Sequence, residues 1–283
     1  AKNGQLGWEL MRSVPSDVDV LFCDSTELDI TLQSSVFPVV NEFNPDVIIN
    51  AAAYTAVDKA ETDSDACYAV NEMGVKNLAL ACQQVDAKLL HISTDFVFDA
   101  AKNTPYQPND NTNPLSVYGA SKLAGERSAQ AVLQDNVTIV RTAWVYSSHG
   151  NNFVKTILRL LDDKPQVEVV ADQIGTPTSA KNLAKALWQL AYTMQRKQCD
   201  AVYHWTDLGV TSWYDFSMAI QELGLANNLL SHEIPVLPIK AEQYPTPAKR
   251  PVYSVLDSNT LRGELGLTGS HWRKALAEVI TEL

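Results

Sequence analysis

The sequence is poor in three things: paired cysteines, long apolar runs and clustered positive charge. Its four cysteines, Cys23, Cys67, Cys82 and Cys199, stand singly, so neither a zinc site nor a disulfide framework is expected. Isolated thiols suit a reducing compartment, and a cytoplasmic location is the expectation. No apolar run reaches the roughly 20 residues of a membrane span, and no basic-then-apolar leader is visible, so no membrane contact is expected. Lysine and arginine total 22 against 33 acidic residues, a net charge of -11. No basic run offers a footprint to a nucleic-acid backbone, so that class of partner is not expected either. An anionic nucleotide remains a permitted ligand, because a helix N-terminus or a single arginine acts locally.

What is present is a globular chain of 283 residues, 46% hydrophobic, enough for a large core. Short β-branched runs alternate with helix-length amphipathic stretches through the first half, the pattern of a parallel sheet covered by helices. Strands are predicted at Val18–Asp24, Asp46–Asn50, Lys88–Ser93 and Val137–Arg141. Helices are predicted at Gly7–Val14, Leu32–Phe43, Asp65–Val85 and Val117–Leu133, with Pro38 expected to kink or interrupt the second. From about Ser147 the character changes. Helices at Asn152–Leu161, Ala180–Gln195, Ser212–Leu223 and Trp272–Leu283 are separated by short apolar strands, and the proline-bearing Ile234–Ile239 and Tyr244–Pro251 read as irregular surface chain. The expected architecture is α/β: a doubly wound parallel sheet over residues 1–147, with a smaller, mainly substrate-binding region over 148–283, some of whose segments return to the sheet. The chain opens at Ala1 directly on a glycine turn, so the first strand of that unit is expected to be missing from it.

Gly4-Gln5-Leu6-Gly7 leads into a helical pattern, and its glycines let the backbone approach a pyrophosphate at the positive helix terminus. Ala1 stands where the first glycine of a G-x-x-G-x-x-G spacing is expected. Asp24 ends the next apolar run, where a carboxylate can accept from adenosine ribose hydroxyls. That position favours NADH, while Lys2 and Arg12 are available to offset a 2′-phosphate, so NADPH stays open. Asp29 and Ile30 follow as candidates for reading adenine. Small residues after Asn50, with Ala52, Ala53 and Tyr54 among the candidates, leave room for a flat ligand against the backbone. Taken singly, each of these also reads as an ordinary turn or tight-packing residue.

Tyr118 and Lys122 stand four apart and project from one face of a helix. A nearby ammonium favours phenolate and brings a tyrosine toward the range useful for acid–base work. Such a pair is common by chance, but here Ser93-Thr94-Asp95 ends a strand upstream and places a hydroxyl at the carboxyl edge of the sheet.

In this order of motifs the sequence resembles the extended short-chain dehydrogenase/reductases, Rossmann-type enzymes, over nearly its whole length. The resemblance rests on Gly4–Gly7 (GQLG), Asn50–Asp58 (NAAAYTAVD), Ser93–Phe98 (STDFVF) and Tyr118–Glu126 (YGASKLAGE). It rests also on Arg141–Tyr146 (RTAWVY), Gly150–Phe153 (GNNF), Asp172–Thr178 (DQIGTPT) and Arg250–Asp257 (RPVYSVLD), which belong to the branch that reduces nucleotide-linked sugars. The resemblance implies reduction of a sugar 4-keto group by NADPH or NADH. It makes Thr94 the catalytic hydroxyl, Tyr118 the proton donor and Lys122 the residue that binds the nicotinamide ribose and tunes the tyrosine. Asp95 and Trp144 are implied to line the sugar pocket, and Asn152, Gln173 and Arg250 to meet the nucleotide. Read alone, Trp144 is a core aromatic, and the last three are helix caps or ion-pair partners. A homodimer, with Mg²⁺ held by carboxylates, is implied by the resemblance only; no metal-ligand cluster stands out in the sequence. Epimerases and dehydratases share the fold, but dehydratases carry Asp-Glu after the threonine, whereas Phe96 follows Asp95 here. A non-catalytic regulatory subunit need not keep Thr94, Tyr118 and Lys122 intact.

Overall fold

In the computed structural model, which describes residues 1–283, the glycine turn runs into helix α1 (Gln5–Arg12). Helix α2 (Gln33–Phe43) then leads to strand β1 (Val47–Asn50). A single turn, α3 (Val57–Ala60), precedes a continuous helical stretch made of α4 (Ser64–Tyr68), a π-helical turn at Ala69–Gly74 and α5 (Val75–Gln84). Strand β2 (Lys88–Thr94), helix α6 (Val117–Leu133) and strand β3 (Val137–Thr142) complete the first half. Helix α6 starts where Ser116 accepts the Gly119 N–H at 3.2 Å, an N-cap bond, and runs 17 residues over a sequence free of proline.

The second half contributes β4 (Val145–Tyr146), α7 (Phe153–Asp163), β5 (Val167–Val170), β6 (Ile174–Gly175), β7 (Thr178–Ser179) and α8 (Ala180–Arg196). After these come β8 (Val202–His204), β9 (Thr211–Ser212), α9 (Trp213–Ala226), β10 (Val236–Ile239), α10 (Asn259–Leu265) and α11 (Trp272–Ile280). The central sheet is parallel throughout, in the order β1-β2-β3-β8. Because side chains alternate along a strand, Leu90 and Ile92 of β2 pack with Leu10 of α1 and Leu183 and Leu187 of α8. Leu89 faces the opposite layer, with Val75 and Leu78 of α5 and Ala129 of α6. Each fully buried leucine here contributes about 1.5–3 kcal/mol. A separate core joins α7, α9 and α11 to β5 and β10 through Ile157, Val169, Phe216, Ile220 and Leu276. Thus α8 and β8, although late in the chain, pack in the sheet layer.

Three expectations are corrected. Val18–Asp24 is not a strand: β1 is the edge of the sheet, and Cys23 of that segment bonds through its carbonyl to the Ala1 and Lys2 nitrogens. Pro38 does not interrupt α2; it lies on the exposed face beside exposed Ser34, where the carbonyl deprived of a partner meets water. Ile234–Ile239 is not irregular, since Val236–Ile239 pairs in parallel with β5. Pro238 is tolerated there because β10 has one neighbour only.

Candidate active site

The carboxyl end of β2 delivers Thr94, 6% exposed, and Asp95, 2% exposed, into the angle between the sheet and the start of α6. Thr94 Oγ1 donates to Asp95 Oδ1 at 3.0 Å and accepts the Phe96 N–H at 3.2 Å, which fixes its rotamer. The Phe96 ring meets Tyr118 edge-on at 5.6 Å. Helix α6 approaches this corner closely because Gly119 has no side chain: a Cβ there would lie 2.2 Å from the Phe96 carbonyl oxygen. Lys122, 2% exposed, donates to the Ile92 carbonyl at 2.7 Å. Thr94, Tyr118 and Lys122 are therefore brought together at one end of the sheet.

Their electrostatics differ from the sequence reading in one respect. Burial pushes the Tyr118 phenol well above its ordinary value; the Thr94 hydroxyl opposes this, while the Asp95 carboxylate and Cys67 add to it. The Lys122 ammonium itself is engaged by the Ile92 carbonyl. The phenol is consequently a held proton rather than an incipient phenolate. Burial lowers Lys122 to about 8, against the opposing pull of Glu126. Asp95 rises to about 6 by burial, partly offset by the hydroxyls of Ser254 and Thr94, and its Oδ2 has no hydrogen-bond partner.

Beneath the lysine lies a polar core that sequence reasoning passed over. Glu126 accepts from Arg141 Nη2 at 2.7 Å and Nε at 3.0 Å, with both side chains at most 5% exposed. Ser93 donates to the same carboxylate. Asn71 ties the site to the segment after β1: its Oδ1 accepts the Tyr54 N–H at 2.9 Å, and its Nδ2 donates to the Tyr54 carbonyl and to Ser121 Oγ. The signal for Glu126 was available, since it follows Lys122 by one turn inside YGASKLAGE. Ser254 lay inside the RPVYSVLD motif without being singled out, and Asn71 carried none.

The cofactor candidates line the same edge. At Gly7 a Cβ would meet the Ala1 carbonyl oxygen at 2.1 Å, so only glycine allows the turn to fold this tightly onto α1. The N-cap Gly4 supplies no side-chain cap to α1, which leaves the first amides, those of Gln5 and Leu6, available to an anion. Asp24 sits beside this turn, accepting from Asn3 Nδ2 at 2.9 Å, but it also caps its own turn through Thr26, which holds it down at about 2. Asp29 is likewise engaged locally by Thr31, and Ile30 packs on Gly74 while its carbonyl accepts from Asn77. Ala52 and Ala53 are half-buried at the end of β1. This donor set fits a nicotinamide dinucleotide. The structure does not offer a comparable fit for Mg²⁺: nowhere do three His, Cys, Asp or Glu side chains converge.

In the second half of the chain's contribution to the site, Trp144 has a left-handed backbone, φ 49°, and its ring stacks on Trp213 at 3.4 Å and 7°. Its edge covers Gly175, where a Cβ would lie 2.6 Å from the indole. Trp213, at the start of α9, was not among the expected residues, and nothing in its local pattern marked it. Gln173 is half-buried just ahead of β6. Asn152 caps α7 by accepting the Lys155 N–H and donates to Gln5 Oε1 at 3.0 Å, so it joins the glycine turn to the second region. Arg250 forks onto Asp58, Nη1 to Oδ1 at 2.9 Å and Nη2 to Oδ2 at 2.7 Å.

Fold and site together define a Rossmann-type, nicotinamide-dependent oxidoreductase with a threonine, tyrosine and lysine at the carboxyl edge of a parallel sheet. The sequence profile of the RmlD substrate binding domain family matches residues 1–283, and the chain belongs to that family. It is 41% identical over 280 residues to the dTDP-4-dehydrorhamnose reductase of Aggregatibacter actinomycetemcomitans, covering 98% of this chain and 95% of that one. It is 39% identical over 285 residues to the dTDP-4-dehydrorhamnose reductase of Sinorhizobium fredii, covering 100% and 95%. The crystal structure of dTDP-4-dehydrorhamnose reductase from Bacillus anthracis in complex with NADP superposes with a TM-score of 0.92 at 39% identity, over 99% of this chain and 96% of the other.

Proposed function

We propose that this chain reduces dTDP-4-dehydro-L-rhamnose to dTDP-L-rhamnose with NADPH or NADH, as a cytoplasmic enzyme of nucleotide-sugar biosynthesis. The observation that carries the reading is the convergence of Thr94, Tyr118 and Lys122 beside an uncapped helix N-terminus and a glycine turn. When bound, the nicotinamide supplies hydride to the sugar's keto carbon. Gly4, Gln5, Leu6 and Gly7 receive the pyrophosphate, and Asp24, Asp29, Ile30, Ala52, Ala53 and Tyr54 line the path of the remaining dinucleotide. Tyr118, kept protonated by burial, gives its proton to the forming alkoxide, and the Thr94 hydroxyl donates to the same oxygen. Lys122 holds the ribose and carries positive charge near the tyrosine. Asp95, with one carboxylate oxygen unsatisfied, accepts a sugar hydroxyl, and Trp144 forms a flat wall for the ring. Gln173 and Arg250 meet the nucleotide, with Asn152 holding Gln5 in place.

The test is direct: incubate the chain with dTDP-4-dehydro-L-rhamnose and either reduced cofactor, and follow loss of reduced nicotinamide absorbance. Turnover with formation of dTDP-L-rhamnose is expected. No oxidation of either cofactor would overturn the reading and favour a regulatory role.

A further inference from the structure

The segment Tyr244–Pro251 has no helix or strand of its own. Tyr244 is 63% exposed and Lys249 is exposed. Its hydrogen bonds to other segments all end on one carboxylate. Asp58 accepts from both terminal nitrogens of Arg250 and from the Ala248 N–H at 3.2 Å. Asp58 lies in α3, and Glu61, which follows that turn, accepts the N–H of Val117 at 2.9 Å. Val117 is the first residue of α6 and the neighbour of Tyr118. One short turn thus grips the strap with one carboxylate and the head of the catalytic helix with another. The pair spends two of the five guanidinium N–H groups of Arg250, which leaves three as donors.

We propose that Asp58 is a positioning residue: it clasps the Tyr244–Pro251 strap to the N-terminal body and holds Arg250 with its free N–H groups ready for a substrate diphosphate. The inference rests on the proposed reaction for its substrate, but the clasp itself is testable without turnover. A fork-to-fork contact fixes the guanidinium plane, so less ordering remains to be done when the diphosphate arrives. An arginine on a loose strap would have to be ordered by the substrate itself.

Asp58→Asn keeps the shape and removes the charge from a partly exposed site, so the fold is expected to survive. Its KM for the nucleotide sugar is expected to rise about tenfold, the scale of one charge-assisted hydrogen bond, with kcat and the NADPH KM little changed. In an Arg250→Gln background the same substitution should add nothing, because the residue it acts through is gone. Additive losses in the double variant, or an unchanged sugar KM in Asp58→Asn, would overturn the proposal. A second readout needs no catalysis: trypsin cleavage after Lys249 should be faster in Asp58→Asn than in wild type, and dTDP should slow it in the wild type. Equal cleavage rates in the two proteins would show that Asp58 does not hold the strap, whatever the enzyme reduces.

Discussion

The proposed catalytic corner and the proposed recognition rim of this molecule are built by different means. At the corner, Thr94, Asp95, Lys122, Glu126 and Arg141 are all nearly inaccessible, and each is fixed by a strand end, a helix or a buried carboxylate. At the rim, Trp144 leans on another aromatic ring, and Arg250 sits on a strap with no regular structure, tied to a partly exposed partner. On the proposed function, the chemistry falls to groups whose position is set by the sheet itself, and recognition to side chains that hold one another. Damage to the corner should stop the reaction or unfold the protein; damage to the rim should change what is bound.

The sharpest division comes from Tyr118→Phe, which keeps the ring against Phe96 and removes only the phenolic proton. A fall in kcat of about 10²–10⁴-fold is expected, the worth of a general acid, with NADPH affinity unchanged in a binding titration. Near-normal turnover would dissolve the distinction between corner and rim.

Glu126→Ala asks whether the corner is also structural. It strands the Arg141 guanidinium, 4% exposed, and loss of one partner of a buried pair costs about 3–5 kcal/mol. A urea titration should show this as a large drop in midpoint, and a drop below about 1 kcal/mol would mean that Arg141 finds another partner.

Asp95 gives the corner a pH signature. Its folded value, raised to about 6 from 3.8, means that the native state binds more protons than the unfolded chain between about pH 4 and 6. Stability from this group is present below that window and is lost as pH rises through it, on the order of 2–3 kcal/mol at 1.36 kcal/mol per unit. Asp207, also raised to about 6 by burial, produces a similar slope. His91 and His204, held neutral by burial, carry slopes of the opposite sign, so Asp95→Asn should shift the pH slope of stability across this window toward a rise with pH relative to wild type, measured by urea unfolding at several pH values. An unaltered slope would show that Asp95 does not titrate there.

The smallest effect belongs to the rim. Trp213→Ala removes the plate beneath Trp144, and an aromatic pair is worth about 0.5–1.5 kcal/mol beyond its buried area. The sugar KM should rise several-fold with kcat nearly unchanged. If kcat falls instead, the stack serves the reacting geometry, and the rim is part of the corner.

This contrast also explains what could be read from the sequence. Helix α6 was predicted at Val117–Leu133, the range observed, because its helix-length pattern and its YGASKLAGE motif lie in one continuous segment. Strands β1, β2 and β3 were equally legible as β-branched runs ending in small or hydroxyl residues. Val18–Asp24 has the same composition and is not a strand, since a ladder needs a neighbour and composition does not reveal one. The Pro238 strand was missed for the converse reason: a single neighbour leaves its nitrogen free of any demand. Thr94, Tyr118 and Lys122 were legible because they are close in sequence to the elements that hold them. Arg250 and Asp58, or Trp144 and Trp213, are far apart along the chain, and their pairing follows from topology that no local window contains.

The π-helical turn at Ala69–Gly74 has a consequence for phase. Such a turn takes in one residue more than an α-turn, and one residue is about 100° of rotation. Upstream of it, α4 presents Cys67 to Ser121 of α6; within it, Asn71 reaches Tyr54 and Ser121; downstream, α5 turns Val75, Leu78 and Cys82 into the core. Cys67, Asn71 and Val75 recur every four residues and all meet α6, at Ser121 and Gly125, whereas at 3.6 residues per turn a four-residue repeat drifts by about 40° at each step. The widened turn takes up that drift, so that side chains four apart stay in line with the neighbouring helix along this part of the rod.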